Sequence, residues 1–350
     1  MMMSYNKDKY TGRGLTGLGN LGNTCFMNSC LQILSHTYEL NEFLDKETYK
    51  KRLNNKYESA LIIEWDSLRQ LMWKENCVIS PGKFLKTVQK LAQIKKIDIF
   101  TGFAQNDLPE FLLFMVDCFH TALMREVDIK INGTIVNDTD KIAVKCFEMI
   151  KNMYTKEYSE IWNIFYGVHV SQIESSDGVK VLSMTPEPYF MINLSIPQDN
   201  KSPTLYDCFD LYTSDEKLEG ENGWYNEETK ETENVNKNIK FWSFPNILVI
   251  DLKRFNSKNV KNQILVDFPI EELDLSKYCI GYKKSDSIYD LYGICNHSGG
   301  VLGGHYTSHV KTANNKWYLF NDTSVTEVGN LPSLVSPKAY CFFYRKRTQQ

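Results

Sequence analysis

The spacing of apolar residues changes once along this chain. Residues 26–44 carry Phe26, Cys30, Ile33 and Leu34 at helical spacing, which predicts one helix there. Segments 58–73 and 82–94 show similar faces. The clearest stripe is Leu108, Phe111, Leu112, Met115, Phe119 and Ala122, at i, i+3, i+4, i+7, i+11 and i+14. Beyond Tyr166 the period shortens. Segments 168–173 and 189–194 read as strands, and the β-branched run 247–252 reads as a buried strand. Shorter strand patterns recur at 289–295, 305–311, 316–320 and 339–345. Residues 214–238 are polar and acidic, an exposed loop or solvated sheet tip. No internal repeat interrupts this order. It predicts an α+β fold, helical first and then mainly antiparallel β.

Composition narrows the class. Of 350 residues, 42% are hydrophobic, enough for a substantial core in one large domain or two ordinary ones. A net charge of −3 argues against a nucleic-acid or membrane-surface binder. No apolar run reaches the ~18 residues of a membrane span. Residues 1–14 are polar, lack the apolar stretch of a secretory signal, and are expected to be a disordered lead-in. Nine cysteines, an odd number with no C-x-x-C pair, read as free thiols in a reducing compartment. The expected location is the cytoplasm, with the nucleus left open.

One of those thiols sits where chemistry is made. The glycine-punctuated segment 17–29, with Asn20, Gly22, Asn23 and Thr24, delivers Cys25 to the start of an apolar helix. Unpaired N–H groups and the helix dipole favour thiolate there. A base is available at His305, preceded by Gly303 and Gly304 and followed by Tyr306. The strand after it ends in Asn321 and Asp322. If 305–311 and 316–320 form a hairpin, either Asn321 or Asp322 returns beside His305 to orient its imidazole. Each signal alone is weak: a lone cysteine is more often a buried structural thiol, and Asn-Asp after a strand is usually a turn.

In combination they resemble a known family. Residues 17–32 resemble the cysteine box of the ubiquitin-specific proteases, and 292–308 with 317–325 resemble their histidine box. Gln105, Asn106, Asp107, Leu108, Pro109, Glu110 and Phe111 are similar to the family's Gln-Gln-Asp-x-x-Glu-Phe segment. Residues 248–255 resemble its strand ending in Leu-Lys-Arg-Phe, and 339–344 its last core strand. The resemblance spans about 15–345. It implies a papain-like cysteine protease fold with thumb, palm and fingers. A single catalytic domain would cover 15–346, with the thumb at about 15–150, palm and fingers at 151–346, and the active site between thumb and palm.

It also implies a deubiquitinase that hydrolyses the bond after the C-terminal glycine of ubiquitin. Cys25 would be the nucleophile, His305 the general base and acid, and Asn20 the oxyanion-stabilising amide. Asn321 would orient the base, with Asp322 as the rival or supplement. Asp107 and Glu110 would pair with the arginines of the ubiquitin tail, although Asp107-x-x-Glu110 also reads as a helix capping box. His297, Gly304 and Tyr306 would line the tail channel. Expected partners are ubiquitin, ubiquitinated proteins and polyubiquitin chains, with no nucleic acid and no membrane. A monomer without a cofactor is expected. A protease for another modifier with a basic tail, or a silent ubiquitin binder, are the rival readings. One departure stands out: Asn226 and Thr229 occupy positions where many relatives carry zinc-binding cysteines. Without thiolates or histidines no structural zinc site is expected. Trp224 and Tyr225 are the expected anchors of that tip instead.

Overall fold

The computed structural model describes residues 6–300 and 303–347. Its first half is helical. β1 (Gly17–Leu18) leads to α1 (Cys25–Ser35) and α2 (Tyr38–Asp45), followed by α3 (Glu58–Lys74). Next come β2 (Val78–Ile79), which pairs in parallel with β1, and then α4 (Gly82–Lys95) and α5 (Leu108–Leu123). α6 (Asp138–Glu157) and α7 (Glu160–Phe165) complete this half. Every residue of α1 is buried. The predicted stripe of α5 is buried as a unit, and its Phe111 meets Phe26 of α1 edge-on at 5.4 Å.

The single helix expected over 26–44 is two. Side chains near the break compete for helix carbonyls: Ser35 Oγ donates to Gln32 O, His36 Nδ1 lies 2.8 Å from the same oxygen, and Thr37 Oγ1 donates to Ile33 O. Such local bonds favour ending a helix. The expected disorder of 1–14 also fails over its described part. Lys7–Tyr10 form a 3₁₀ turn, and Tyr10 is buried, stacked on Tyr38 at 4.4 Å with its hydroxyl on Glu42. One aromatic docking on two others holds a polar segment that carries no periodic signal. Residues 1–5 of that segment lie outside the described residues.

The second half holds the strands. β3 (Gly167–Ser175), β4 (Val181–Tyr189), β5 (Met191–Ser195), α8 (Leu205–Thr213), β6 (Glu216–Leu218), β7 (Trp224–Asn226), β8 (Glu231–Glu233) and β9 (Val235–Ser243) come first. β10 (Ile247–Lys253), β11 (Leu273–Asp274), β12 (Ile288–Gly300), β13 (Gly303–Lys311), β14 (Trp317–Asn321), β15 (Ser324–Glu327) and β16 (Ala339–Lys346) follow. The larger sheet runs β15-β14-β13-β12-β16-β10-β5, with β11 on β12, and is antiparallel apart from the β10–β5 pair. A smaller sheet runs β4-β3-β9-β6. β10 is buried from Ile247 to Leu252, as a central strand covered on both faces must be.

α6 and α8 carry no strong apolar stripe, yet both start with reciprocal capping boxes, Asn137 with Asp140 and Thr204 with Asp207. That signal was present in the sequence. α6 buries only Ala143 and Cys146, in a cluster with Trp162, Val168, Val170 and Trp242. It therefore belongs with the smaller sheet, and the division expected near residue 150 falls inside this helix. Among the described residues, no helix is long and apolar enough to cross a membrane.

At the tip of the smaller sheet, Asn226 Nδ2 and Thr229 Oγ1 both donate to Glu233 Oε1, each at 2.8 Å. A carboxylate clasp thus closes the β7–β8 hairpin. Tyr225, expected as an anchor, is 54% exposed, whereas Trp224 is half-buried. Among the described residues, no three His, Cys, Asp or Glu side chains gather to hold a metal. Hydrogen exchange should therefore read the clasp directly. Glu233→Ala is expected to speed exchange of the 224–233 amides about tenfold, the loss of roughly one net charge-assisted bond. A chelator is expected to leave those rates unchanged.

Candidate active site

The cleft forms where α1 and α5 meet the β12–β13 hairpin. Cys25 is the first residue of α1 and is buried. Burial pushes its thiol up from the ordinary range near 9.0. The backbone N–H groups of Tyr306, Phe26 and Cys25 itself act in the opposite direction, while the Asp322 carboxylate adds to the rise. The helix-end N–H groups expected to favour thiolate are thus opposed by desolvation, which raises the thiol pKa.

His305 lies on β13, paired with Ser298 of β12. Its Nε2 is 2.6 Å from Asn321 Oδ1. A carbonyl oxygen only accepts, so Nε2 carries the proton and Nδ1 is left as the basic nitrogen. Between the two residues open at the end of the hairpin, this bond selects Asn321. Asp322 is committed elsewhere. Its Oδ2 accepts from Asn20 Nδ2 at 3.0 Å and its Oδ1 from Asn28 Nδ2 at 2.8 Å. Asp322 sits in a left-handed conformation (φ 49°) at the β14–β15 turn, and its carbonyl accepts from Leu18 N–H. Gly17 is required for this docking, since a Cβ there would lie 2.3 Å from Thr323 O.

Asn20 is fixed at both ends of its amide. Its Oδ1 accepts from the backbone N–H of Gly22 and of Thr24, both at 3.1 Å. One N–H of its Nδ2 is used by Asp322, and the second remains for a ligand. Asn28, one turn after Cys25, was not singled out by the sequence reading; its spacing of i+3 from the thiol is the signal that marks it.

The opposite wall carries the acids. Asp107 is the N-cap residue of α5; its side chain makes no full cap hydrogen bond, yet the Glu110 N–H still lowers its pKa, so a weak capping interaction remains beside the bond to Tyr340. Its Oδ2 accepts from Tyr340 OH at 2.8 Å, and its Oδ1 is buried without a partner. Burial raises the Asp107 pKa. Glu110 is exposed, and burial and then the neighbouring Asp107 raise its pKa too. Behind them Asp251 is held near 7 by burial and by Asp107. Among the described residues none of the three forms a salt bridge, and Lys253 and Arg254 only partly offset the rise at Asp251.

Gln105 spans the cleft. Its Nε2 donates to Gly304 O at 2.5 Å, and Gly304 N–H donates to its Oε1 at 2.6 Å. His297 lies beneath Gly304: a Cβ on that glycine would lie 2.3 Å from His297 Nε2. Tyr306 is buried, with its ring centroid 4.6 Å from that of His297. All ten residues singled out in the sequence therefore gather around one cleft. Gln105 and Asn28 join them.

A thiol at a helix start, an imidazole on a strand and an amide orienting it across a helix–sheet cleft define the papain-like cysteine protease fold. The family model described as "Ubiquitin carboxyl-terminal hydrolase" matches residues 16–344. The chain belongs to that family. Ubiquitin carboxyl-terminal hydrolase 2 of Homo sapiens is 33% identical over 344 residues, covering 95% of this chain and 55% of the relative. Usp2 of Drosophila melanogaster is 32% identical over 339 residues, covering 95% of this chain and 35% of its own. The chain thus spans about half the length or less of these curated relatives. Among solved structures, the SAGA Ubp8/Sgf11/Sus1/Sgf73 DUB module bound to ubiquitin aldehyde aligns with a TM-score of 0.74. It covers 100% of this chain and 72% of that chain at 22% identity, a likeness of fold.

Alkylation of the free protein reads the Cys25 thiol. Burial raises the Cys25 pKa and disfavours its thiolate. Iodoacetamide labelling of Cys25 is expected to be slow at pH 7, with a midpoint shifted up from that of a free thiol. Asp322→Asn removes the carboxylate and should move that midpoint down.

Proposed function

We propose that this chain is a thiol-dependent deubiquitinase that cleaves the isopeptide or peptide bond after the C-terminal glycine of ubiquitin. The observation that carries the reading is the 2.6 Å bond from His305 Nε2 to Asn321, beside a buried thiol that receives the Tyr306 N–H. The family membership supports the same chemistry. Cys25 gives its proton to His305 Nδ1 and its sulfur attacks the glycine carbonyl. The free N–H of Asn20 and nearby backbone amides take the oxyanion. His305, now doubly protonated, passes the proton to the departing lysine amine, leaving a thioester. Water, deprotonated by His305, then releases the ubiquitin carboxylate and restores the thiol.

Burial that disfavours the Cys25 thiolate suits this sequence, because the nucleophile is generated by transfer to His305 rather than stored. Asn321 orients the imidazole without adding charge. Asp322 acts one step back by holding Asn20. Asp107 and Glu110 face the entry of the tail, and an arginine placed between them would relieve their mutual repulsion. His297, Gly304 and Tyr306 wall the glycine channel. In this reading α1–α5 form the thumb, the larger sheet the palm, and the smaller sheet, with α6 packed on it, the fingers.

The partners inferred are ubiquitin, ubiquitinated proteins and polyubiquitin chains. A cofactor is not needed for any step. A monomer is the assembly inferred. The nine cysteines are free thiols, which supports a reducing intracellular setting.

A ubiquitin probe with a thiol-reactive C-terminus is expected to label Cys25 and no other cysteine. Failure of labelling while ubiquitin still binds would favour a silent binding module, and preference for another modifier would redirect the substrate. Cys25→Ala should abolish turnover and keep ubiquitin affinity. In kcat, His305→Ala is expected to cost about 10⁴-fold and Asn321→Ala about 10²-fold. Asp322→Ala should lower kcat as Asn20→Ala does, since it frees that amide; an additive double variant would separate the two roles.

A further inference from the structure

The histidine beneath Gly304 is itself held by a lysine. Lys261 lies in the loop between β10 and β11. Its Nζ is 3.0 Å from His297 Nδ1 and donates to His297 O at 2.6 Å. Its ammonium also lies 5.9 Å from the Phe255 ring centroid. An ammonium has only donors, so Nδ1 must accept and Nε2 carries the proton of a neutral imidazole. The loop that presents Lys261 is tied down by Arg254. That guanidinium is buried and donates to Ala339 O, Asn262 O and Ile264 O.

His297 connects this lysine to the site. It is buried, with ring neighbours Tyr306 at 4.6 Å, Tyr340 at 5.7 Å and Phe255 at 5.9 Å. Its Nε2 edge supports Gly304, and its strand partner is Tyr306. Gly304 and Tyr306 flank His305 in the chain. Tilting the His297 ring therefore shifts β13 on both sides of His305, and with it the backbone N–H that Tyr306 directs at Cys25.

We propose that Lys261 is a positioning residue for the cleft, locking the plane and tautomer of His297 so that Gly304 and Tyr306 keep the tail channel at the width two glycines need. This rests on the deubiquitinase reading for the identity of the tail.

Charge makes the lock pH-dependent. Burial, then Arg254, bring Lys261 down to about 8. Burial, then Lys261, bring His297 down to about 4. The other groups around them are Tyr306 and Tyr340, both raised by burial, Asp107 bonded to Tyr340, and Asp251 near 7. The His297 N–H donates to Lys338 O, whose side chain is exposed. As pH rises through about 8, Lys261 loses its charge and the lock weakens.

The test measures fluorescence-anisotropy Kd for labelled ubiquitin on Cys25→Ala protein from pH 6 to 9.5, where thiol titration plays no part. Binding is expected to weaken above pH 8. Lys261→Arg, which keeps its charge, should remove that limb. Lys261→Met should weaken binding about tenfold at every pH, with no limb. In parallel, NMR of the imidazoles should show the His297 titration rising in Lys261→Met, because a nearby cation has gone. A limb that persists in Lys261→Arg, or a His297 titration unmoved in Lys261→Met, overturns the proposal. Absence of ubiquitin binding by the parent protein overturns the functional reading instead, and the His297 titration then decides the lock.

Discussion

The carboxylate of Asp322 joins the two ends of this chain. It accepts from Asn20 and from Asn28, 302 and 294 residues away. Its own carbonyl receives Leu18 N–H, and its turn packs on Gly17 so closely that no side chain fits between. Without that junction the helix bearing Cys25 and the hairpin bearing His305 would meet through apolar packing and the Tyr306 N–H directed at Cys25, and apolar packing sets distance more than orientation. Hydrogen bonds to a charged acceptor set both. The geometry of the cleft therefore descends from one residue in a left-handed conformation at the end of β14.

Burial and charge oppose one another throughout this site. The Cys25 thiol, Asp107 and Asp251 are all raised by desolvation, and His297 and Lys261 are lowered by it. Each shift moves its group toward the neutral form. The free protein thus disfavours charge on these buried groups and leaves an orphan carboxylate oxygen on Asp107. A basic peptide entering between Asp107 and Glu110 would reverse that preference on the acidic wall. Gln105 occupies both hydrogen-bonding groups of Gly304 in the meantime, so the cleft is also closed by polar bonds that a peptide backbone is able to replace.

Elements read from the sequence succeed or fail by how they are buried. The α5 stripe and β10 are legible because each buries a continuous face or run. The smaller sheet's partners are less so: α6 buries two residues, and its capping box is the stronger signal. The described part of the lead-in is ordered against expectation because Tyr10 is held by Tyr38 and Trp73, rings supplied by distant segments. The same distinction runs through the site. Cys25, His305 and the acidic pair belong to local motifs, whereas Lys261 has no motif and acts through a contact 36 residues away.

The sequence by itself determined the fold class and the family, and marked Cys25 and His305 as the candidate nucleophile and base, because local period and short motifs encode those directly. Tertiary structure decided the rest. It chose Asn321 over Asp322 as the partner of the imidazole, and turned Asp322 toward Asn20 and Asn28. It turned the Asp107 carboxylate toward Tyr340, and raised the Cys25 pKa by burying the thiol. Each of these outcomes depends on which polar group arrives within 3 Å and how much water is left. Spacing along a chain carries neither quantity.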